Sequence, residues 1–142
     1  MTARRLRLTT LAASAVVAAL AAGCAPRKTS GDSAGKFRGD QRLAAQTIED
    51  LQSAAGDSDQ VKICRDLLTR AFATRLARGG RSCAATVDEA LKNTDSFDMT
   101  VQSVRVTGDR ATARVKFETG KQDRVTTFQL KREARRWRIA GF

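Results

Sequence analysis

Cysteine is the residue type in this 142-residue chain best able to do chemistry, because the chain has three cysteines and no histidine or tyrosine. One of them, Cys24, follows the small residues 21–23, and an uncharged, largely apolar run of residues 8–20 precedes those. Three arginines lie among residues 1–7. A cationic start, an apolar run and a small-residue cleavage site are the parts of a secretory signal peptide. The apolar run is shorter than the ~20 residues that a bilayer-spanning helix needs.

The residues next to the cleavage site narrow this prediction. They resemble the lipobox of bacterial lipoproteins, with alanine where leucine is commoner three places before the cysteine: Leu20-Ala21-Ala22-Gly23-Cys24. The resemblance implies that the Cys24 thiol receives a diacylglyceryl group, that residues 1–23 are removed, and that the acylated chain is held on the extracytoplasmic face of the cell membrane. An ordinary secretory peptide is the alternative. The pair Arg4-Arg5 leaves the route open between general secretion and twin-arginine export.

Cys64 and Cys83 remain as a pair in an oxidising compartment once Cys24 is assigned to the lipid. A bridge between them closes a loop of about 20 residues, and such a loop contributes about 3 kcal/mol to stability. Two buried free thiols are the alternative. A metal site is not expected, because the chain has no histidine and the third cysteine is committed elsewhere. No cofactor is expected either.

Composition divides the mature chain into a tether and one domain. Residues 24–39 contain Pro26, three glycines and a single large apolar residue, Phe37, so they are predicted to be a flexible tether. Residues 40–142 form the domain. Apolar spacing predicts three helices: from Asp40 to Gly56, from Asp57 to Gly79-Gly80 with Val61, Cys64, Leu68, Phe72 and Leu76 on one stripe, and from a Ser82 cap to Asn93.

The pattern alternates with a period of two after Asn93, which predicts antiparallel strands. They cover residues 97–106, 111–117, 124–131 and 136–142, with a hairpin turn at residues 107–110 and a bulge near Gln102-Ser103. Helices followed by such a meander predict an α+β fold, with three helices packed on one face of a curved sheet of about four strands.

Several short motifs in this order resemble the NTF2-like superfamily, and in particular small NTF2-like lipoproteins of actinobacteria. They are Cys64-x-x-Leu67-Leu68, Gly79-Gly80-x-Ser82-Cys83, Val106-x-Gly108-Asp109-x-Ala111 and Trp137-Arg138-Ile139. The resemblance implies a bent sheet that wraps a long helix and leaves a cavity open at one end. Its candidate lining is Phe97, Met99, Phe117, Phe128, Leu130 and Trp137, for which ordinary core packing is the alternative.

Catalysis is not expected in this cavity. Enzymes of the superfamily place Asp, His or Tyr there for proton transfer, and this chain has only carboxylates to offer. The candidates near strands are Asp95, Asp98, Glu118 and Asp123. Asp98 alternates with apolar neighbours and should face away from them, and the other positions are turn-like or exposed. No catalytic residue is assigned.

A second candidate site is basic. The chain has 26 Lys and Arg against 15 Asp and Glu, and the last hairpin concentrates Arg132, Arg135, Arg136 and Arg138. These four predict binding of an anionic lipid, a wall polymer or an acidic protein outside the cytoplasm. Nucleic acid is in another compartment and is not an expected partner. A solvated face that protects an edge strand is the alternative.

The leading hypothesis is therefore a membrane-tethered, non-catalytic cell-surface binding module whose cavity holds a small apolar ligand or a partner. The second is a structural or interaction lipoprotein that contacts an anionic surface or acidic partner through its basic hairpin. An enzyme of the NTF2-like type comes third. An empty cavity favours the first hypothesis, and a filled interior favours the second.

Overall fold

The computed structural model describes residues 33–94, 98–119 and 122–142. The predicted signal peptide, Cys24 and most of the predicted tether lie outside these ranges, as do Asp95 and Phe97. Within them the chain is α+β, with helices first and then one antiparallel sheet in the order β1-β2-β3-β4. This confirms the predicted class and topology.

The helical half contains four α-helices where three were predicted. A short 3-10 turn at Ala34–Lys36 precedes α1 (Gly39–Gly56), α2 (Gln60–Lys62), a π-turn (Ile63–Leu67), α3 (Arg70–Leu76) and α4 (Cys83–Lys92). The strands are β1 (Asp98–Thr107), β2 (Arg110–Thr119), β3 (Gln122–Glu133) and β4 (Arg136–Gly141).

The packed part of the chain begins earlier than the predicted tether boundary at residue 39. Ser33 and Ala34 are buried, and their backbone N–H groups both donate to Glu49 Oε1 of α1 at 2.7 Å. Ser33 Oγ accepts from the Val101 N–H of β1 at 3.0 Å. Hydrogen bonds from two backbone N–H groups to one carboxylate offset the conformational entropy that is lost when this segment is ordered. Amino-acid composition does not reveal such a contact.

The predicted second helix is the main error of the sequence analysis. The chain leaves helical geometry at Leu68, which is extended, buried and bridged to Ile139 of the edge strand β4. The next N–H, that of Thr69, donates to Ile139 O at 2.8 Å. Pairing with this sheet edge therefore replaces the helical hydrogen bonds that the periodicity predicted. Val61, assigned to the apolar stripe, is 60% exposed.

The sheet presents one apolar face to the helices, and α1 lies across β1, β2 and β4. The strand residues buried there are Met99, Val101, Val104, Ala111, Ala113, Val115, Phe128, Leu130, Trp137 and Ile139. Ile48 of α1 is fully buried among them, and Thr47 Oγ1 donates to Trp137 O at 3.2 Å. The register of β1 and β2 shifts between Val101 and Ser103, which confirms the predicted bulge.

The turn between β3 and β4 gives a prediction about stability. Ala134 and Arg135 have φ of 48° and 67°, a left-handed conformation that Asn-Gly adopts far more readily in two-residue hairpins. Ala134→Asn combined with Arg135→Gly is expected to raise the free energy of unfolding by about 1 kcal/mol, because the strain is relieved. Urea denaturation measures this. Ala134→Val is the control and should lower stability, and a double variant less stable than wild type contradicts the argument.

Candidate functional site

The predicted cavity lining is mostly solid core. Met99 and Leu130 are each 2% exposed, Phe128 3% and Trp137 5%, and all four belong to the main apolar cluster. A side chain that faced an internal cavity large enough for water would have accessible surface there. These four side chains have almost none, so they do not line an open cavity. Phe117 is half-buried and stacks on Phe128 with ring centroids 5.9 Å apart. Phe97, the sixth candidate, lies outside the described residues.

A surface depression of about 590 Å³ lies elsewhere, on the first turns of α1. It is open to solvent and is lined by Gly39, Asp40, Arg42, Leu43 and Gln46. Leu43 is 51% exposed here. The depression presents one apolar side chain among flexible polar ones, which does not enclose a small apolar ligand.

Two of the four arginines predicted to bind anions are used within the protein. Arg132 forms an ion pair with Asp40, and its guanidinium lies 4.7 Å from the centroid of the Trp137 ring. Arg138 Nη1 donates to the carbonyl oxygens of Arg65 at 2.6 Å and of Leu68 at 3.2 Å. These contacts attach the last hairpin to α1 and to the π-turn. The structure therefore assigns Arg132 and Arg138 structural contacts that the sequence analysis missed.

The other two predicted anion-binding residues, Arg135 and Arg136, are exposed. Arg135 lies in the hairpin turn, and Arg136 is the register partner of Glu133. A cross-strand acid partly compensates Arg136. The hairpin alone is thus a weaker anion site than the count of its arginines suggests.

A larger group of uncompensated cations lies on the outer face of the sheet. We define the cationic sheet face as four exposed residues whose neighbours along each strand point into the core: Arg105, Arg110, Arg114 and Lys131. Arg110 and Lys131 are direct register partners. Arg105 is paired with Thr112, which places it diagonally between Arg110 and Arg114. Among residues 33–94, 98–119 and 122–142, none of the four makes an ion pair.

Sequence reasoning overlooked this face although its signal was present. Arg110 and Arg114 share a parity in β2, opposite to Ala111, Ala113 and Val115, so alternation alone places both outside. The missing information was register. Only the pairing of β1, β2 and β3 shows that cations distant in sequence meet on one surface.

The carboxylates considered for catalysis lie at the end of the sheet away from the β3–β4 turn. Asp98 pairs in register with Glu118, which pairs with Asp123, and all three are exposed. Lys116 Nζ lies 2.8 Å from Asp123 and 3.1 Å from Glu118. Hydrogen bonds to Asp123 and then to Glu118 raise the pKa of Lys116. The charge of Lys116 is therefore compensated by the carboxylates of this acidic end. For this reason Lys116 is not counted in the cationic sheet face. The fourth candidate, Asp95, is outside the described residues.

The disulfide predicted from the cysteine count is present. Cys64 of the π-turn is bonded to Cys83 at the start of α4, with Cα atoms 6.1 Å apart. Disulfides typically join Cα atoms 4.4–6.8 Å apart. In the part of the chain that the structure describes, no group of three or more His, Cys, Asp or Glu side chains is placed to hold a metal ion. None of the helices described there is long and apolar enough to cross a bilayer.

Comparison with known proteins adds two distant structural similarities. No protein-family profile and no curated protein sequence matches the chain. A solved chain named Rd1NTF2_05, in a form carrying five substitutions, is similar with a TM-score of 0.46 and 13% identity over 68% of this chain and 90% of its own. A Campylobacter jejuni protein described provisionally as an NTF2-like transpeptidase has a TM-score of 0.42 and 19% identity, over 69% of this chain and 94% of its own.

Proposed function

We propose that this chain is a membrane-anchored, non-catalytic binding module of the NTF2-like type, whose cationic sheet face holds an anionic partner outside the cytoplasm. The observation that carries the proposal is the group of four exposed cations on adjacent positions of three strands, none of which has an acid as its register partner. Guanidinium and ammonium groups of this kind attract carboxylates and phosphates.

The anchor rests on residues 1–24. The lipobox-like sequence supplies a lipidation site, and a bridge between Cys64 and Cys83 is the state expected of a protein in an oxidising compartment. Anchoring raises the local concentration of the domain near the membrane, so that a modest electrostatic attraction is sufficient for binding there.

The proposal places binding on the surface because, among the residues that the structure describes, most of the candidate cavity lining is packed core. Four of the six residues expected to line a cavity are core residues, which removes the main support for a small apolar ligand. We propose binding without catalysis because the sequence contains neither histidine nor tyrosine, and because the described candidate carboxylates are exposed to water.

The proposal predicts which cations hold the protein to a phosphate-bearing cation exchanger. The experiment uses the unlipidated mature chain, residues 24–142 with Cys24→Ser. Replacing the four cations of the sheet face with glutamine is expected to lower the salt concentration of elution, because their charges act together on one ligand surface.

The control removes the same charge from another part of the surface. Arg38, Arg42, Arg70 and Arg78 are exposed, lie in the helical half and make no ion pair among the described residues. Their fourfold glutamine variant should elute close to wild type. Equal elution of the two fourfold variants would show that net charge, and not the sheet face, controls binding.

A further inference from the structure

We infer that the cationic sheet face binds a linear polymer of repeated phosphodiesters, such as a polyol phosphate of the cell wall, in preference to a single anion or a bilayer. This inference rests on the proposed function and names its partner class. Four features of the face support it: its internal repulsion, its arrangement in rows, the uncharged groups between its cations, and its lack of apolar side chains.

The first feature is repulsion within the unliganded face. Arg110 is directly opposite Lys131, and Arg138 lies next in the same row across β4. Like charges directly opposite each other on a sheet are destabilising. The protein has acids available, since Asp40, Asp123 and Glu118 pair with other cations of the sheet. The nearest strand acid on this face, Glu133, is two residues from Lys131 and is paired with Arg136. Local rules are broken mainly at functional or strained sites, so we attribute the missing compensation to a ligand.

The second feature is the arrangement of the cations. Cross-strand partners have Cβ atoms about 4.5–5.5 Å apart, and diagonal neighbours have Cα atoms about 7–8 Å apart. Arg114, Arg105, Arg110 and Lys131 therefore form a zigzag path in which each cation is one such step from the next. A single phosphate contacts one or two of these groups. A chain of phosphates contacts all four, and each contact after the first is intramolecular.

The third feature is the set of uncharged hydrogen-bonding groups between the cations. Ser103 and Thr127 flank Arg114 on the neighbouring strands, and Thr112 is opposite Arg105. Thr107 is opposite Arg110. Hydroxyl groups donate and accept, so they suit the hydroxyls of a polyol between its phosphates. Three of the four cations are arginines, whose planar guanidinium binds phosphate through two parallel hydrogen bonds.

The fourth feature distinguishes a polymer from a bilayer. Proteins that lie on bilayers combine basic residues with apolar or aromatic side chains that enter the headgroup region. The exposed large apolar side chains described here are Leu43, Val61, Val125 and Phe142. Only Val125 is on the outer sheet face, where it pairs with Lys116 near the acidic end. The cationic part of the face is therefore purely polar, which favours a hydrated polymer.

The test compares a short phosphate chain, a long phosphate chain and an anionic bilayer. The unlipidated mature chain is titrated with triphosphate, with long-chain polyphosphate, and with vesicles containing acidic phospholipid. Long-chain polyphosphate is expected to bind at least about tenfold more tightly than triphosphate, because several phosphates act together. The fourfold glutamine variant of the sheet face should lose about tenfold or more of that affinity, whereas the fourfold control variant should lose much less.

A single substitution separates a binding role from a structural one. Lys131→Glu places an acid opposite Arg110, so it is expected to raise the midpoint of thermal unfolding without ligand and to weaken polyphosphate binding. A merely structural lysine would not give this combination. A lower midpoint, or unchanged binding, would contradict the inference.

The outcomes also separate the inference from the proposed function. Stronger binding to acidic vesicles than to polyphosphate, still dependent on the sheet face, overturns the polymer and leaves the anionic partner. Equal affinity for triphosphate and long-chain polyphosphate would likewise overturn the polymer and leave the anionic partner. Equal loss of polyphosphate affinity in the fourfold sheet-face variant and the fourfold control variant would overturn both the inference and the proposed function.

Discussion

Cys24→Ser is expected to abolish the lipid-anchored form of the protein in the membrane fraction. Each acyl CH₂ buried in the bilayer contributes about 0.8 kcal/mol, and two chains together hold a protein stably where one does so only marginally. Serine at this position has no thiol to accept the diacylglyceryl group. The substituted protein should therefore accumulate as an unprocessed precursor or appear in the soluble fraction. The measurement is fractionation combined with the intact mass of the protein.

Ser30→Ala is a matched control within the predicted tether, because it changes a small residue and leaves the thiol in place. It should remain in the membrane fraction with the mass of a lipidated chain that begins at Cys24. Unchanged partitioning and mass in the Cys24→Ser protein would contradict lipid anchoring. The sheet-face experiments use the unlipidated chain, so they are independent of this result.

Removing the disulfide, by Cys64→Ser together with Cys83→Ser, is expected to lower the free energy of unfolding by about 3 kcal/mol. The loop that the bridge closes is long, so the unfolded chain gains much conformational freedom without it. Helix α4 should be affected most. It has no fully buried residue and is otherwise held by contacts such as Thr86 Oγ1 to Leu76 O, 2.9 Å, and Gln60 Nε2 to Asp88 Oδ1, 2.9 Å.

Urea denaturation gives the change in stability, and amide hydrogen exchange shows where protection is lost. Exchange should increase in α4 well before it increases in the core of β2, because the bridge ties α4 to the rest of the domain. A reducing agent provides the control: it should destabilise the wild-type protein and leave the double variant unchanged. A wild-type midpoint that reductant does not move would contradict a stabilising bridge.

Local patterns predicted the elements whose cause is local. Alternation of apolar and polar residues placed the strands, and the change of parity between Val101 and Val104 located the bulge. The Ser82 cap was also correct, since its side chain accepts from Ala85 N–H. These features depend on residues a few positions apart, and a single sequence contains that information.

The errors concern contacts between distant parts of the chain. Leu68 leaves the helix because Ile139, some 70 residues later, offers an unpaired strand edge. Arg132 was assigned to anion binding because its partner Asp40 is far away in sequence. The cationic sheet face was missed for the same reason, because it forms only when three strands adopt one register. Contacts between residues distant in sequence determine the extended conformation at Leu68, the ion pair of Arg132 and the cationic sheet face. The periodicity of apolar residues carries no information about such contacts.

The packed domain begins as early as Ser33, and this limits how far from the membrane an anchored domain could reach. With the lipid that we propose on Cys24, only residues 24–32 would separate the anchor from the first residues fixed by Glu49. Even fully extended, about nine residues span no more than roughly 30 Å. Anchored in the proposed way, the domain would sample a thin layer at the membrane surface and would diffuse with the lipid in two dimensions. A partner of the proposed anchored protein would have to enter that layer, which includes wall polymers rooted in or close to the membrane and excludes the outer wall.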